Sequence, residues 1–452
     1  MSAVTATTDP FGTNDIRGPI GEEVTPSLTL DLGRALAATG VERVVVGRDT
    51  RASGKPLADV LVGGLTATGV DVVRLGVVST PTVARAVAWN DADAGVSITA
   101  SHNPPADNGL KFWTPNGRAF DADRRGELIA ALEEPAQARS DGIGTATTWD
   151  GAVERHVREI ERAIVGDESS TGPLDGQSIV VDVGNGAGGL TADVLRQLGA
   201  AVQTLNADPN GNFPGRPSEP TADSCRSLSE VVAATRAELG IAHDGDADRT
   251  MAVTANGEFV GGDRLLALFA RETAGTGDRV AVPVNTSLAV DDALAAVGAE
   301  AVRTPVGTVH VARQASESGV VFGGEPSGAW IWPDEILCPD GPFAACRLAV
   351  MIAERGSLAD LLPDLGDYTI RRESVRTDRK ELVEEAAAAR IREAFGAVEA
   401  LDGVRVESGD AWALVRASGT EPLVRLTVEA PNTDRADDLL DRVRSIVEDV
   451  LP

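Results

Sequence analysis

Residues 99–111 read TASHNPPADNGLK, directly after a compact apolar run, Gly95-Val96-Ser97-Ile98. The run has the length and composition of a buried strand. Behind Ser101 come His102, Asn103, two prolines and an Asn-Gly pair, residues that fix a loop rather than extend a helix. A hydroxyl held in a stiff loop at the carboxyl end of a strand is where α/β folds place chemistry.

Outward from this loop the alternation of strand and helix continues. Residues 44–46, 71–75 and 95–98 read as strands with amphipathic helices between them, and a polar stretch over 136–148 reads as a linker. A second αβ unit opens at 178–183 and runs to about Thr250. A third begins near Met251, with strands at 280–282 and 320–322. From Gly366 the pattern changes. Residues 368–371, 404–407, 411–416 and 424–428 read as neighbouring strands, bracketed by helices over 380–394 and 434–450. The expected fold class is α/β, with three α/β domains of mixed sheets (1–147, 148–250, 251–365) and a smaller C-terminal α+β domain (366–452). A chain of 452 residues is too long for one core, which fits that division.

Composition narrows the function classes. No run approaches the apolar length of a membrane span, and residues 1–10 are polar, so a cytoplasmic protein is expected. Cys225, Cys338 and Cys346 are odd in number and show no CxxC spacing, which argues against a disulfide frame or a zinc site. The net charge is −28, and lysine occurs only at Lys55, Lys111 and Lys380, arginine supplying every other cation. The acids are spread along the chain, as on a surface kept soluble in concentrated salt. Such a surface repels nucleic acid and anionic membranes. The expected partners are therefore small molecules, with the protein a monomer or homodimer.

Besides the serine loop, three loops carry polar chemistry and a fourth resembles a cofactor motif. Asp244-Gly245-Asp246-Ala247-Asp248-Arg249 alternates three carboxylates on an extended loop, so that their oxygens can converge on one hard cation such as Mg²⁺. In so acidic a chain the same spacing also arises by chance, leaving a solvated loop as the alternative. An EF-hand is excluded, because Arg249 stands where the turn glycine belongs and Ala255 where the bidentate glutamate belongs. Arg416-Ala417-Ser418-Gly419-Thr420-Glu421-Pro422, with Arg425 beyond, offers guanidiniums, hydroxyls and backbone N–H groups to a phosphate, or is a plain turn between strands. Gly323-Gly324-Glu325-Pro326-Ser327-Gly328 holds a carboxylate and a hydroxyl suited to sugar hydroxyls. The cofactor-like loop, 184–189, satisfies GxGxxG after a strand, with Asp208 some way on, and reads either as a nicotinamide site or as a tight structural turn. No GxSxG surrounds Ser101 and no GK[ST] exists, which excludes a nucleophile-elbow hydrolase and a P-loop kinase.

Taken in order, these loops resemble the α-D-phosphohexomutase superfamily. TASHNPPADNGLK is similar to its phosphoserine loop, DGDADR to its metal loop, GGEPSGA to its sugar loop and RASGTEP to its phosphate loop. FGTNDIRG (11–18) and VGRDTRASG (46–54) resemble its amino-terminal signatures, so the likeness spans essentially the whole chain. The resemblance implies a heart-shaped protein whose four domains each give a loop to one cleft. It implies that Ser101 carries a phosphoryl group, that one Mg²⁺ is held by Asp244, Asp246, Asp248 and the Ser101 phosphate, and that Arg249 offsets charge in transfer. A hexose 1,6-bisphosphate would be intermediate and activator. It further implies that Glu325 and Ser327 bind the sugar, and that Arg416, Ser418, Gly419, Thr420 and Arg425 grip the distal phosphate. Lys111, supported by Arg17, is the expected proton-transfer group, because a lysine kept in an arginine chain suggests a pKa that must move. His102 is expected to shape the loop and contact the phosphoryl group. FGTNDIRG and RASGTEP lean toward the phosphoglucosamine branch, while Ala329 and Thr308 stand where many members carry other residues; mannose and glucose phosphates are the alternatives. A dehydrogenase or a non-catalytic sugar-phosphate binder remain the readings from other classes.

Overall fold

The computed structural model describes residues 11, 15–138, 142–166, 172–362, 368–396, 398–418 and 422–451. Gly419 and Thr420 of the expected phosphate loop lie outside them. The chain divides into two compact units, residues 1–265 with 327–362, and residues 266–326 with 363–452.

The first unit carries two sheets. The larger runs in the order Ile16–Pro19, Asp107–Trp113, Ala94–Ile98, Arg43–Arg48, Asp71–Val77, Ala146–Thr148. Its interior pairs are parallel, and Asp107–Trp113 lies antiparallel to both of its neighbours. Alternation along Val44-Val45-Val46 decides the layering. Val44 and Val46 pack with Leu32, Leu36, Leu57, Leu61 and Leu65 of two helices on one face, whereas Val45 packs with Val83 and Val87 of the helix Thr80–Trp89 on the other. With both faces covered, every residue of Ala94–Ile98 is buried. Each such Val or Leu contributes about 1.5–3 kcal/mol of hydrophobic burial. The second sheet runs Phe259–Val260, Thr250–Thr254, Leu239–His243, Ser178–Asp182, Ala201–Leu205, again parallel in its interior with antiparallel strands at one edge.

In the second unit, Arg279–Pro283 lies parallel between Glu300–Thr304 and Val320–Glu325. The C-terminal part is a five-stranded antiparallel sheet, Thr369–Arg376, Leu423–Ala430, Ala411–Ala417, Val404–Ser408, Val398–Glu399. The helices Lys380–Phe395 and Thr433–Glu448 cover it through Val383, Ala387, Ile391, Leu439 and Val443. The α/β class and the separate α+β end read from the sequence are both present.

Two local readings are corrected. The polar stretch 136–148 is not linker throughout, since Ala146–Thr148 pairs with Val72–Arg74 as the edge strand of the first sheet. Residues 99–111 are not a loop throughout either: Asp107–Trp113 is a strand, and its Asn108-Gly109 pair makes no turn. Gly109 is required there by proximity, because a Cβ would lie 2.4 Å from the Ile16 carbonyl and 2.8 Å from that of Thr99. Among the described residues no helix is long and apolar enough to cross a membrane, and all three cysteines are buried free thiols.

Candidate active site

The polar groups of the first unit collect where parallel strands end. Asp49 and Arg51 follow Arg43–Arg48, Thr80 follows Asp71–Val77, Ser101 follows Ala94–Ile98, and Asp244 follows Leu239–His243. The carboxyl ends of parallel strands are where open α/β sheets bind ligands.

Ser101 is 2% exposed and has a left-handed backbone, φ +50°, which a non-glycine residue adopts only when its surroundings hold it there. Its N–H donates to Thr99 Oγ1 at 2.8 Å, and the Thr99 hydroxyl donates to Asp49 at 2.8 Å. Arg51, fully buried, donates from Nε to Asp49 at 3.0 Å and from its terminal nitrogens to the carbonyls of Ser101, Asn103 and Asp107 at 2.7–3.0 Å. Ser218 Oγ donates to the His102 carbonyl at 2.7 Å. The loop is thus gripped by its backbone, leaving the serine side chain to chemistry.

That side chain meets the aspartate loop. Ser101 Oγ donates to Asp244 Oδ2 at 2.6 Å. Asp244, Asp246 and Asp248 offer ligand oxygens within 4.8 Å of one another, all three residues being buried. Burial, reinforced by Asp248 and Asp246, pushes the Asp244 carboxyl well above the usual range. Burial acts the same way on Asp246, but Lys111 and Thr80 outweigh it and hold that carboxyl low. Asp246 Oδ1 and Asp248 Oδ1 are buried without a hydrogen-bond partner. Two orphaned carboxylate oxygens beside a third carboxylate fit a hard divalent cation with oxygen ligands.

The cations expected from the sequence surround this cluster. Lys111 Nζ donates to Asp246 at 2.8 Å and to Asp248 at 2.5 Å. Burial pulls the Lys111 pKa down, yet the two aspartates raise it overall, the direction opposite to that of a poised base. Arg17 is held by Asp15 Oδ2 at 2.5 Å and Asn103 Oδ1 at 3.1 Å. Arg249 donates its N–H to Asp244 Oδ1 at 3.2 Å, and its guanidinium lies 3.7 Å from Glu219. His102 Nδ1 is 3.4 Å from Ser101 Oγ. Burial and the nearby Arg249, Arg17 and Lys111 charges push the His102 pKa down to about 2, so its ring is neutral. A cavity of about 880 Å³ opens beside the serine loop, lined by His102 to Pro105 and by Asn212 to Glu219.

The glycine-rich loop 184–189 belongs to the same assembly and has a structural task. A Cβ on Gly186 would lie 2.6 Å from the Gly245 carbonyl and 2.9 Å from that of Asp244, and Ala187 N–H donates to the Gly245 carbonyl at 3.0 Å. These glycines let the aspartate loop approach. The Asp208 side chain is exposed, and the residue takes part through its carbonyl, which accepts from Asn185. This is the turn reading, not a dinucleotide site.

In the second unit, Glu325 is buried and accepts the Gly307 N–H at 2.9 Å. Arg416 and Arg425 stand directly opposite each other on paired strands. Arg416 Nε is 2.9 Å from Asp402, close enough for an ion pair but not aligned to donate. Lys380 donates to the carbonyl of Ser418, a buried residue at the start of the expected phosphate loop. Ser327 falls in the first unit, and its Oγ is buried without a hydrogen-bond partner. Sequence reasoning missed Thr80, Ser218 and Asp402, whose partners lie far away in the chain. Asp49 and Arg51 stood inside a quoted motif without a role.

Comparison with known proteins agrees with this geometry. The chain matches the family models for phosphoglucomutase/phosphomannomutase alpha/beta/alpha domain I over residues 8–139, domain II over 154–257, domain III over 261–368 and the C-terminal domain over 374–446. It is 46% identical to a Methanopyrus kandleri protein named "Probable phosphoglucosamine mutase", over 97% of this chain and 99% of that one. A protein of the same name from Methanothermobacter thermautotrophicus is 41% identical, over 98% of each chain. The crystal structure of a phosphoglucomutase/phosphomannomutase family protein from Burkholderia thailandensis matches with a TM-score of 0.86 at 30% identity, covering 98% of each chain. Matched by these models along nearly its whole length, the chain belongs to the phosphoglucomutase/phosphomannomutase family.

Proposed function

We propose that the protein interconverts hexose 6-phosphate and hexose 1-phosphate, with glucosamine phosphate as substrate. The observation that carries this reading is Ser101 Oγ, 2.6 Å from Asp244 and beside two orphaned aspartate oxygens. In the phosphorylated enzyme the bond from phosphorus to Ser101 Oγ breaks as a sugar hydroxyl attacks, giving a hexose 1,6-bisphosphate. The attacking hydroxyl gives up its proton to a nearby base as the new bond to phosphorus forms, and the departing Ser101 Oγ takes up a proton to become the hydroxyl that donates to Asp244. After the intermediate turns over, its other phosphate transfers to Ser101 and the opposite monophosphate departs.

Asp244, Asp246 and Asp248 would hold Mg²⁺, which when bound supplies positive charge to the phosphoryl oxygens as they move. Arg249 and Arg17 add fixed positive charge beside Ser101, and the neutral His102 ring can donate one hydrogen bond to a phosphoryl oxygen. Lys111 bridges Asp246 and Asp248 and would be the group that exchanges a proton with the substrate. Glu325 and Ser327 would bind sugar hydroxyls, and Arg416, Ser418, Gly419, Thr420 and Arg425 the distal phosphate.

The names of the two archaeal relatives and the FGTNDIRG and RASGTEP motifs support glucosamine phosphate. The test is phosphorus NMR in concentrated KCl with Mg²⁺ and a trace of hexose bisphosphate, supplying glucosamine, mannose and glucose 6-phosphates separately. The 1-phosphate signal should grow fastest with glucosamine 6-phosphate. Faster turnover of mannose or glucose phosphate would reassign the substrate, and silence on all three would refute the mutase.

A further inference from the structure

We propose that Thr80 is a positioning residue for the cation site, fixing Asp246 through backbone and side chain together so that Asp246 Oδ1 faces the ion. The inference rests on the cation reading of the aspartate loop given above.

Thr80 opens the helix Thr80–Trp89 and belongs to an element remote in sequence from the loop it touches. Its N–H donates to the Asp246 carbonyl at 2.9 Å, and its hydroxyl donates to Asp246 Oδ2 at 2.7 Å. Thr80 and Asp246 are 1% and 0% exposed. Lys111 donates to the same Oδ2 at 2.8 Å. Two donors on one oxygen set the rotation of the carboxylate and leave Oδ1 as its open corner, and Oδ1 has no partner. The lysine alone would not do this, since an ammonium on a flexible stem follows its carboxylates.

Thr80 is itself rigid. Pro81 stands in the first turn of the helix, where its fixed φ suits the helical path. Ser79 Oγ and Thr82 Oγ1 are 2.7 Å apart, Thr82 meets His156 Nδ1 at 2.8 Å, and His156 Nε2 meets Asp340 at 2.9 Å. Arg85 of the same helix donates to Asp340 at 2.9 Å. The helix start is thereby pinned to the helices Ala152–Val165 and Gly341–Arg355, the second of which Asp340 caps. A metal ligand oriented by a fixed outer donor binds more tightly, and removing such a donor costs on the order of 10–100-fold in metal affinity.

The test is titration of the purified protein with Mn²⁺ followed by electron paramagnetic resonance, beside a thermal melt without metal. Thr80→Val keeps the shape and removes the hydroxyl, and Thr80→Ser keeps the hydroxyl. The Mn²⁺ dissociation constant should rise about 10–100-fold in the valine variant and stay near wild type in the serine variant. Valine and wild-type proteins binding Mn²⁺ equally, whatever the melt does, would overturn the proposal and leave the cation site standing. Equal loss in both variants would overturn it too, by showing that the hydroxyl is not the operative group. Wild-type protein that takes up no Mn²⁺ would instead overturn the cation reading on which the proposal rests. Should the valine variant not fold, Thr80→Ala makes the same comparison.

Discussion

Arg51 supports the serine loop from behind, with Asp49 as its counter-ion and the carbonyls of Ser101, Asn103 and Asp107 as acceptors. Arg51→Met would strand a buried carboxylate and several carbonyls at once. Breaking a buried pair in this way costs roughly 3–5 kcal/mol, which should appear as a lower denaturation midpoint at an unchanged slope. Arg51→Lys should recover only part of the loss, because an ammonium cannot reproduce the planar fork. His243, one residue before the aspartate loop, gives a second expectation. It is fully buried between Thr191 Oγ1 and the Arg249 carbonyl, and burial pushes its pKa down to about 4. A depressed base favours the fold above its unfolded value of 6.5, and that stability is lost as pH falls from 6.5 toward 4. The loss is on the order of 3 kcal/mol, and His243→Gln should flatten the pH dependence of the denaturation midpoint over that window.

At the scale of elements, close approach of loops matters more than any one bond. Gly245 lies where a Cβ would stand 2.6 Å from the Ser101 carbonyl, and Gly186 where one would stand 2.6 Å from the Gly245 carbonyl. Three loops therefore stack through two glycines. Gly186→Ala should push the aspartate loop off its seat, cost about 1–3 kcal/mol by overpacking, and raise the Mg²⁺ concentration needed for half-maximal turnover. A dehydrogenase would instead lose nicotinamide binding. In the C-terminal sheet, Arg416 stands directly opposite Arg425 on paired strands, with Asp402 2.9 Å from Arg416 Nε. Arg425→Ala should raise KM for the hexose phosphate, measured beside a thermal melt. A fall in melting temperature with KM intact would make the pair structural.

At the scale of the whole molecule, the charge of −28 sets the working conditions. The Debye length shrinks from about 10 Å at 0.1 M salt to about 3 Å at 1 M, so the melting temperature should climb between those KCl concentrations. An unchanged melt would remove the halophile reading. Most of the fold was legible, because the short apolar runs at 44–46 and 95–98 and the helical periods around them report burial directly. Ser101, the three aspartates and Arg249 were legible as motifs. The strand Asp107–Trp113 was not, since its Asn-Gly pair imitates a turn and only the neighbouring carbonyls explain the glycine. Thr80 and Ser218 were hidden for a related reason. A residue that acts by holding another across a long stretch of chain leaves no local spacing to read.

We propose Ser101 as the phosphoryl carrier. The direct measurement is peptide mapping by mass spectrometry of protein incubated with a hexose 1,6-bisphosphate and then chased with hexose monophosphate. One phosphate should appear on the peptide holding Ser101 and disappear in the chase, and Ser101→Ala should neither take up phosphate nor turn over substrate. Phosphate on another residue, or turnover that persists in Ser101→Ala, would contradict the account.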